Sequence, residues 1–342
     1  MQVKKNPVQA FLKHPLGQIV IFVVILTVIQ ILSIAGLVPN SFVGAITNTL
    51  IYAIISIGFC LLLGYSGLAS LGTAGFIGIG AYVAFYMMQE LGMPYIVALI
   101  VTLIVSIIIG VAVGFISLRI EGIYLAILTL GLAEIIRNLL MALKSTITIS
   151  LGNLKLFGIQ IDTTGRMVYF LVLITFSVLM WLTANLINSP TGRAMLAMKN
   201  STSAAQAMGI SLMKFRLLAF VISTVFAAIG GLLFMIYIPS VTTATSTLLT
   251  LTTSLNILGA VIIGGAKSLW GTTFGAFIIY GIQSMFLSKI QFFKDNPAFI
   301  TMITGLLIIL VVMFFPGGFA QIALTVKLWF KKKFSKAGKG AA

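Results

Sequence analysis

The sequence predicts an all-α integral membrane protein with about ten transmembrane or re-entrant helices. Of the 342 residues, 60% are hydrophobic and only 8% are charged, and the mean hydropathy is +1.19. A soluble domain carries about 25% charged residues, whereas a membrane-crossing helix needs about 20 mostly apolar residues. Apolar stretches of that length recur along this chain, so the bilayer is the expected solvent for most of it.

Ten apolar stretches are candidate crossings or re-entrant segments. In chain order they are Leu16–Leu37, Phe42–Leu63, Gly72–Gln89, Pro94–Leu118, Gly122–Leu143, Met167–Asn188, Leu217–Ile238, Leu248–Gly264, Leu269–Ser288 and Pro297–Phe315. The third stretch is rich in glycine and the eighth in threonine and serine, so these two are the weakest. Eight crossings with two re-entrant segments fit the charges equally well.

The basic residues lie mostly at the ends of these stretches. With the N-terminus inside, fifteen Lys and Arg residues fall on the cytoplasmic side and five fall outside, while Arg137 lies within a stretch. Because Lys and Arg favour cytoplasmic loops, both termini are predicted to be cytoplasmic. The same rule explains the net charge of +16. No nucleic-acid partner is expected, since no motif for one is present.

The organisation predicted is one membrane domain over residues 1–342, with its core at 16–317. A cytoplasmic segment covers residues 189–216, and a basic cytoplasmic tail covers 318–342. The tail interleaves Trp329, Phe330 and Phe334 with lysines, which suits contact with anionic membrane lipid. Ordinary enrichment of positive charge on the cytoplasmic side explains it as well. The N-terminus shows no cleavable signal peptide, because a full-length apolar stretch follows it.

The cytoplasmic segment is the most distinctive part of the chain. Its stretch Gly192–Arg216 carries four basic residues and no acid between long apolar stretches. Ala205, Ala207 and Met208 suggest an apolar stripe that needs something to pack against. One interpretation is a solvated loop, and the other is a docking helix for a cytoplasmic partner.

Polar side chains in the two weakest stretches, or in the connection just before the third stretch, are candidates for lining a solute pathway. They are Ser66, Ser70, Thr73, Thr252, Thr253 and Asn256. Broken backbone at membrane depth survives only when it is buried in protein or lines a wet cavity, and a lipid-facing amide is costly. The alternatives are a small-residue helix interface for the glycines and hydrogen bonds from the hydroxyls to their own helix.

Glu134 and Arg137 lie at positions i and i+3 of the fifth stretch, so their side chains can meet. Charges inside a membrane are expensive and usually paired. A structural ion pair near the outer end of the stretch is the favoured interpretation, and a proton or solute site is the alternative. Glu134 is the only acid clearly within a stretch, which argues against a proton relay.

The sequence offers no catalytic or metal-binding constellation. Cys60 and His14 are each the only residue of their type, and the chain has five acids, which is too few for a standard zinc or di-metal site. The Lys267-Ser268 pair does not form a phosphate-binding loop, because Ala266 stands where that motif needs glycine. We therefore expect neither an enzyme nor a bound cofactor.

Four motifs in order carry a family resemblance. They are Gly64–Tyr82, Leu118–Arg137, Gly192–Lys199 with Ala204–Ile210, and Ile263–Gly271. Together they resemble the permeases of branched-chain amino-acid ABC importers, and the motif Leu118–Arg137 is similar to the M-type subunit. The likeness covers the chain from about Asn48 to Phe315.

The resemblance implies a permease subunit in a bacterial or archaeal plasma membrane. Its partners would be a second permease subunit, two cytoplasmic ATP-binding subunits that hydrolyse ATP, and an extracellular or periplasmic solute-binding protein. The cytoplasmic segment would then be the coupling helix that docks on an ATPase. The family motif maps this role onto Gly192, Arg193, Ala194, Ala204, Ala205, Gly209 and Ile210.

Two departures from the family leave alternatives open. The stretch Ser145–Asn153 replaces a loop that usually contains Thr-Gly-Gly and Asn-Gly, and Asn200–Ser203 is less charged than usual. The first departure bears on the cargo. A branched-chain or similar small neutral amino acid is expected, and a permease for nucleosides or sugars is the alternative. A secondary transporter or channel that works alone is the rival from another class.

Overall fold

The computed structural model describes residues 15–120, 122–144, 166–238, 249–287 and 290–315, together with the short segments 146–148, 155–156, 159–160, 240–242, 317–319 and 321. Within these ranges the chain is overwhelmingly helical, which confirms the predicted class. The predictions for His14 and for nearly all of the basic tail fall outside the described residues, and so does most of the segment between Lys144 and Arg166.

The described helices follow one another with short connections. They are α1 (Pro15–Ile34), α2 (Asn40–Cys60), α3 (Thr73–Phe85), α4 (Tyr95–Ser117), α5 (Ile123–Leu143), α6 (Arg166–Asn188), α7 (Pro190–Asn200), α8 (Thr202–Ala207), α9 (Leu212–Tyr237), α10 (Leu251–Gly264), α11 (Leu269–Ala276), α12 (Ile282–Met285), α13 (Gln291–Asp295) and α14 (Pro297–Phe314). Single π-helical turns extend α2 over Leu61–Tyr65 and α3 over Tyr86–Glu90, and a third, Phe277–Gly281, joins α11 to α12. Such turns widen a helix locally.

Six described helices are long and apolar enough to cross a membrane, namely α1, α2 with its π turn, α4, α5, α6 and α9. The protein is therefore a multi-pass membrane protein. Helices α10 and α14 are apolar but shorter, and α3 has 13 residues before its π turn. The predicted count of about ten crossings or re-entrant helices is not confirmed.

The core is built around α2 and α9, which pack against each other, and α9 also packs against α3. Glycines allow the helices to approach closely. A methyl group on Gly80 of α3 would overlap the carbonyl oxygen of Ala228 in α9, and one on Gly231 of α9 would overlap that of Ile77 in α3. Close approach through small residues is a principal source of helix association in a membrane, where apolar burial adds little.

Helix α5 packs on one flank of α3. The backbone N–H of Leu71, just before α3, donates to Oγ1 of Thr129 at 3.0 Å. One turn further on, a methyl group on Gly75 would lie 3.0 Å from Cα of Ala133. The middle of α5 is thus held at the level of the first turns of α3.

Helix α10 also contacts α3. The N–H of Ala74 donates to Oγ of Ser254 at 3.0 Å. Further along α3, Gly78 has Leu140 of α5 and Leu249, just before α10, as its nearest side chains. The middle of α5 and the first turns of α10 therefore reach the same level of α3.

Two strand pairs lie at the end of the bundle opposite to residues 189–216. Strands β1 (Thr146–Thr148) and β4 (Ser240–Thr242) pair antiparallel, as do β2 (Lys155–Leu156) and β3 (Ile159–Gln160). Close by, Lys144 Nζ forms an ion pair with Glu90 Oε1 at 2.6 Å. These contacts join the segment after α5 to the ends of α3 and α9.

Candidate coupling and translocation sites

The segment of residues 189–216, hereafter the coupling segment, begins with a sharp turn out of α6. The backbone N–H of Gly192 donates to Ser189 Oγ, which caps α7, and Pro190 occupies its first turn. Proline suits that position because its missing N–H would have no helical partner there. A methyl group on Gly192 would overlap the carbonyl oxygens of Leu186 and Ile187, so the turn requires glycine.

The second half of the coupling segment is shaped by another cap and another glycine. Ser201 Oγ accepts from the N–H of Ala204 at 3.3 Å and caps α8. Gly209 has a φ of +79°, a conformation that glycine adopts without strain. The N–H of Ile210 donates to the carbonyl of Ala205 at 3.0 Å, the bond typical of a glycine-terminated helix end. The residues that the family motif names here, Ala204, Ala205, Gly209 and Ile210, therefore all take part in the end turns of α8.

The surface of the coupling segment separates into an inner and an outer side. Met195, Met198 and Ala205 are buried, so Ala205 belongs to the inner side and not to the exposed stripe that the sequence suggested. Ala207 is exposed, and Met208 is exposed to 81%. A small knob of apolar surface therefore points away from the rest of the chain, beside the exposed Ala204 and Gly209.

Arg193 and Ala194, which the family motif also names, lie near the start of α7. Arg193 is exposed, and its Nη1 donates to the carbonyl of Asn188 at 3.1 Å. Ala194 is half-buried. Arg193 therefore closes the turn between α6 and α7 while its cationic head stays at the surface.

Lys199, a residue that the sequence analysis did not single out, connects the coupling segment to the core. Its Nζ donates to the carbonyls of Leu63 at 3.1 Å and Gly64 at 2.8 Å, in the π turn that ends α2. Helix ends leave carbonyls without helical partners, and a cation satisfies them well. Burial lowers the pKa of Lys199 below its usual range, and the nearby Lys267 lowers it further.

The same end of α2 is joined to the turn between α10 and α11. Tyr65 Oη donates to the carbonyl of Lys267 at 3.0 Å, and Cys60 Sγ contacts the carbonyl of Ala266 at 3.1 Å. A side chain on Gly64 would overlap that same Ala266 oxygen. A movement of α7 would therefore displace the end of α2 and, through it, the start of α11.

The predicted pathway residues near α3 are buried and take part in local structure. Ser66 Oγ donates to the carbonyl of Leu62, and Ser70 Oγ accepts from the N–H of Gly72 at 3.2 Å. Thr73, at the start of α3, is also buried. The role of these three residues in a solute pathway stays a prediction.

The predicted pathway residues on α10 differ in exposure. Thr253 is buried, Thr252 is exposed, and Asn256 is half-buried. Thr252 and Asn256 are four residues apart and so share one face of the helix. Their role in a pathway also stays a prediction, but their exposure would permit it.

Glu134 and Arg137 form the ion pair that the sequence suggested, with 2.7 Å between Oε1 of Glu134 and Nη1 of Arg137. Their side chains are exposed to 52% and 22% in the isolated chain. Glu134 is the twelfth of the 21 residues of α5, so the pair lies at the middle of the helix rather than near its outer end.

A metal or cofactor has no obvious place in the described part of the chain. There, no three His, Cys, Asp or Glu side chains come together. The contacts described above combine backbone carbonyls, the Lys199 cation and the Glu134–Arg137 ion pair.

The fold and these sites define a multi-pass helical membrane protein with a compact helical segment outside the bundle. The sequence profile of a protein family described as "branched-chain amino acid transport system / permease component" matches residues 41–312. The chain therefore belongs to this family of transport permeases.

Two curated relatives carry the same description, "High-affinity branched-chain amino acid transport system permease protein LivM". The one from Escherichia coli (strain K12) is 28% identical over 309 residues, covering 82% of this chain and 70% of the relative. The one from Salmonella typhimurium (strain LT2) is 31% identical over 225 residues, covering 58% of this chain and 53% of the relative. No solved structure matches the chain.

Proposed function

We propose that this chain is the M-type permease subunit of an ATP-driven importer for branched-chain or similar small neutral amino acids. The observation that carries the proposal is the family match over residues 41–312. The family description and both relatives name branched-chain amino acids, so nucleosides or sugars are not favoured as the cargo.

The chain would work as part of an assembly in a bacterial or archaeal plasma membrane, with both termini in the cytoplasm. Two cytoplasmic ATP-binding subunits would hydrolyse ATP, a second permease subunit would complete the pathway, and an extracellular solute-binding protein would deliver the cargo. This chain would bind no cofactor of its own. A stand-alone transporter is disfavoured, because the matching family is described as the permease component of a transport system.

The coupling segment is the proposed contact with an ATPase subunit. Its inner side is fixed by Met195, Met198 and Ala205 and by the bonds of Lys199. Its outer side offers the apolar knob around Met208. A rigid segment with an exposed apolar knob suits insertion into a groove of a partner, because ordering it on binding costs little conformational entropy.

The test is uptake by the complete complex in liposomes. We expect ATP-dependent accumulation of labelled leucine, isoleucine or valine when both permeases, the ATPases and the binding protein are present. An excess of unlabelled nucleoside should not compete. Accumulation by this chain alone, without any companion protein, would contradict the proposal.

The ATPase contact is tested separately with Met208→Asp. A charge on the apolar knob should weaken association, so the ATPase subunits should co-purify in clearly smaller amounts and uptake should fall about tenfold or more. Met93→Asp is the matched control, since Met93 is exposed at the opposite end of the bundle. Equal co-purification of the ATPases with both variants would remove the knob from the interface.

A further inference from the structure

We propose that Glu134 and Arg137 form a transit site for the charged head group of a zwitterionic amino acid, halfway across the membrane. The cargo's ammonium group would contact the Glu134 carboxylate, and its carboxylate would contact the Arg137 guanidinium. The inference rests on the proposed function, because it takes a small neutral amino acid as the cargo.

The depth of the pair is the first support. Helix α5 has 21 residues, which is about 31 Å at a rise of roughly 1.5 Å per residue. Glu134 and Arg137 are its twelfth and fifteenth residues, so both lie well away from the polar boundaries. Ionisable residues at such depth almost always face a bundle interior or a water-filled cavity.

The exposure of the pair is the second support. Half of the Glu134 side chain is open in the isolated chain, and Asn138, one turn further along the same face, is also exposed. Contact with lipid would leave a carboxylate and an amide in hydrocarbon, which is energetically costly. This side of α5 is therefore unsuited to lipid and suited to a polar solute.

The unused bonding capacity of Arg137 is the third support. The ion pair uses its Nη1, whereas its Nε is buried and has no hydrogen-bond partner. A buried donor without a partner is costly, and a carboxylate is the group that a guanidinium binds best. A cargo carboxylate bound to the guanidinium would satisfy that donor once the Arg137 side chain turned to bring Nε to the open side.

The charges of the Glu134–Arg137 pair also suit brief binding of a passing solute rather than tight binding. Its two charges cancel, so a zwitterion can add its own opposite charges without creating a net charge. Salt bridges between groups that are partly open to solvent are weak. A solute held by such contacts can therefore leave again. A polar residue of α10, the exposed Thr252, lies at a similar depth to the pair. Ser254 of α10 contacts Ala74 of α3, and Ala133 of α5 lies against the adjacent Gly75.

The first experiment uses Glu134→Gln and Arg137→Met in the complete complex with its binding protein and ATPases. We expect both variants to assemble and to keep ATPase activity within about twofold, while uptake of labelled leucine falls at least tenfold. A merely structural pair would instead lower the yield or the melting temperature of the complex. Uptake at the wild-type rate in both variants would overturn the proposal.

Glu90→Gln is the matched control. It breaks the described ion pair with Lys144, at the end of the bundle and away from the middle of α5. Uptake should stay within about twofold of the wild type. A tenfold loss there would show that ion pairs in this protein matter for reasons other than transit, and would count against the proposal.

The second experiment tests access to the pair and remains informative if the first variants fail to assemble. In a Cys60→Ser background, which removes the only cysteine of the chain, Asn138→Cys should react with a water-soluble methanethiosulfonate reagent. Saturating leucine with the binding protein should slow that reaction several-fold. Ile108→Cys on α4 is the control, because Ile108 is exposed to 62% on an apolar helix and should remain unreactive.

The outcomes separate the two proposals. A wild-type complex that imports no amino acid would refute the proposed function itself. A wild-type complex that imports leucine while Asn138→Cys stays unreactive would refute the transit site alone. Oxidative cross-linking of Asn138→Cys to a cysteine on the second permease would also refute it, since that face would then be a closed subunit seam.

Discussion

Helices α2 and α9 differ sharply from α4 and α5, although all four are long and apolar enough to cross a membrane. In their apolar stretches, 89% of α2 and 72% of α9 are buried inside the chain, against 22% for each of α4 and α5. Hydrophobicity therefore shows which helices belong in the membrane, but it does not show which of them face protein. In a bilayer, lipid and protein interior are equally apolar surroundings.

Close packing separates α2 and α9 from α5. Gly58 on α2 and Gly230 and Gly231 on α9 lie against neighbouring atoms that a side chain would strike. On α4, a methyl group on Gly110 would also strike Thr224 of α9, whereas Gly131 on α5 has no atom within 4 Å of the position that a Cβ would take. Glycine thus marks close approach to the core even on the largely exposed α4, but the position of Gly131 carries no such requirement.

The largest expected effect comes from Gly231→Ala. Its methyl group would overlap the carbonyl oxygen of Ile77, and helix backbones cannot yield as a flexible side chain can. Because this overlap is with backbone, we expect the cost to exceed the roughly 1–3 kcal/mol that is typical of overpacking, and to leave little or no folded protein. Gly131→Ala should be neutral or stabilising, because alanine favours a helix by about 1 kcal/mol over glycine.

Thermal unfolding in detergent, followed by size-exclusion chromatography, measures both glycine variants of this chain. Equal melting temperatures of the two variants would contradict the distinction between the closely packed Gly231 and the open Gly131. That distinction would be sharpened if Gly231→Ala aggregated while Gly131→Ala melted at or above the wild-type temperature.

The sequence was sufficient to predict the helical membrane class, whereas the coupling role of residues 189–216 stays a prediction. The predicted bounds of 189–216 enclose α7 and α8, because the polar stretch contrasts strongly with its apolar flanks. The pairing of Glu134 with Arg137 was also predictable, since it depends only on helical spacing. Local features of this kind can be read from a single sequence.

Other features could not be predicted, because they depend on contacts between distant parts of the chain. The carbonyls that Lys199 binds lie 136 and 135 residues away from it, and nothing around Lys199 indicates them. The inward orientation of Ala205 follows from packing against the bundle. Nor does the composition of α3 show how deeply its residues are buried in the bundle.

The second prediction replaces matched isoleucines in the two kinds of helix. Ile57 on α2 is fully buried, whereas Ile108 on α4 is exposed to 62%. Ile57→Ala leaves a cavity among close-packed neighbours and should cost roughly 2–5 kcal/mol. Ile108→Ala removes a side chain that faces the surroundings of the bundle and should change stability by less than about 0.5 kcal/mol.

The same unfolding assay compares the two isoleucine variants of the isolated chain. A second measurement on the assembled complex adds information about α4. If Ile108→Ala is neutral in the isolated chain but destabilises the complex, then α4 is covered by a partner. If it costs as much as Ile57→Ala already in the isolated chain, the distinction between core and periphery fails for α4.

The smallest effect is expected where the coupling segment is attached to the core. Lys199→Met keeps most of the side-chain bulk but removes the donor to the carbonyls of Leu63 and Gly64. Hydrogen bonds to a charged group contribute roughly 1.5–3 kcal/mol each. Part of that contribution is offset by desolvation, since burial already lowers the pKa of Lys199.

We therefore expect Lys199→Met to leave the assembled complex intact while uptake per ATP hydrolysed falls by about tenfold. Arg119→Met is the matched control, because Arg119 is an exposed cation beyond the end of α4 and outside the coupling segment. It should transport at the wild-type ratio. If both variants couple ATP to uptake as well as the wild type, the link from α7 to the end of α2 has no part in transmitting movement, and the core helices receive it elsewhere.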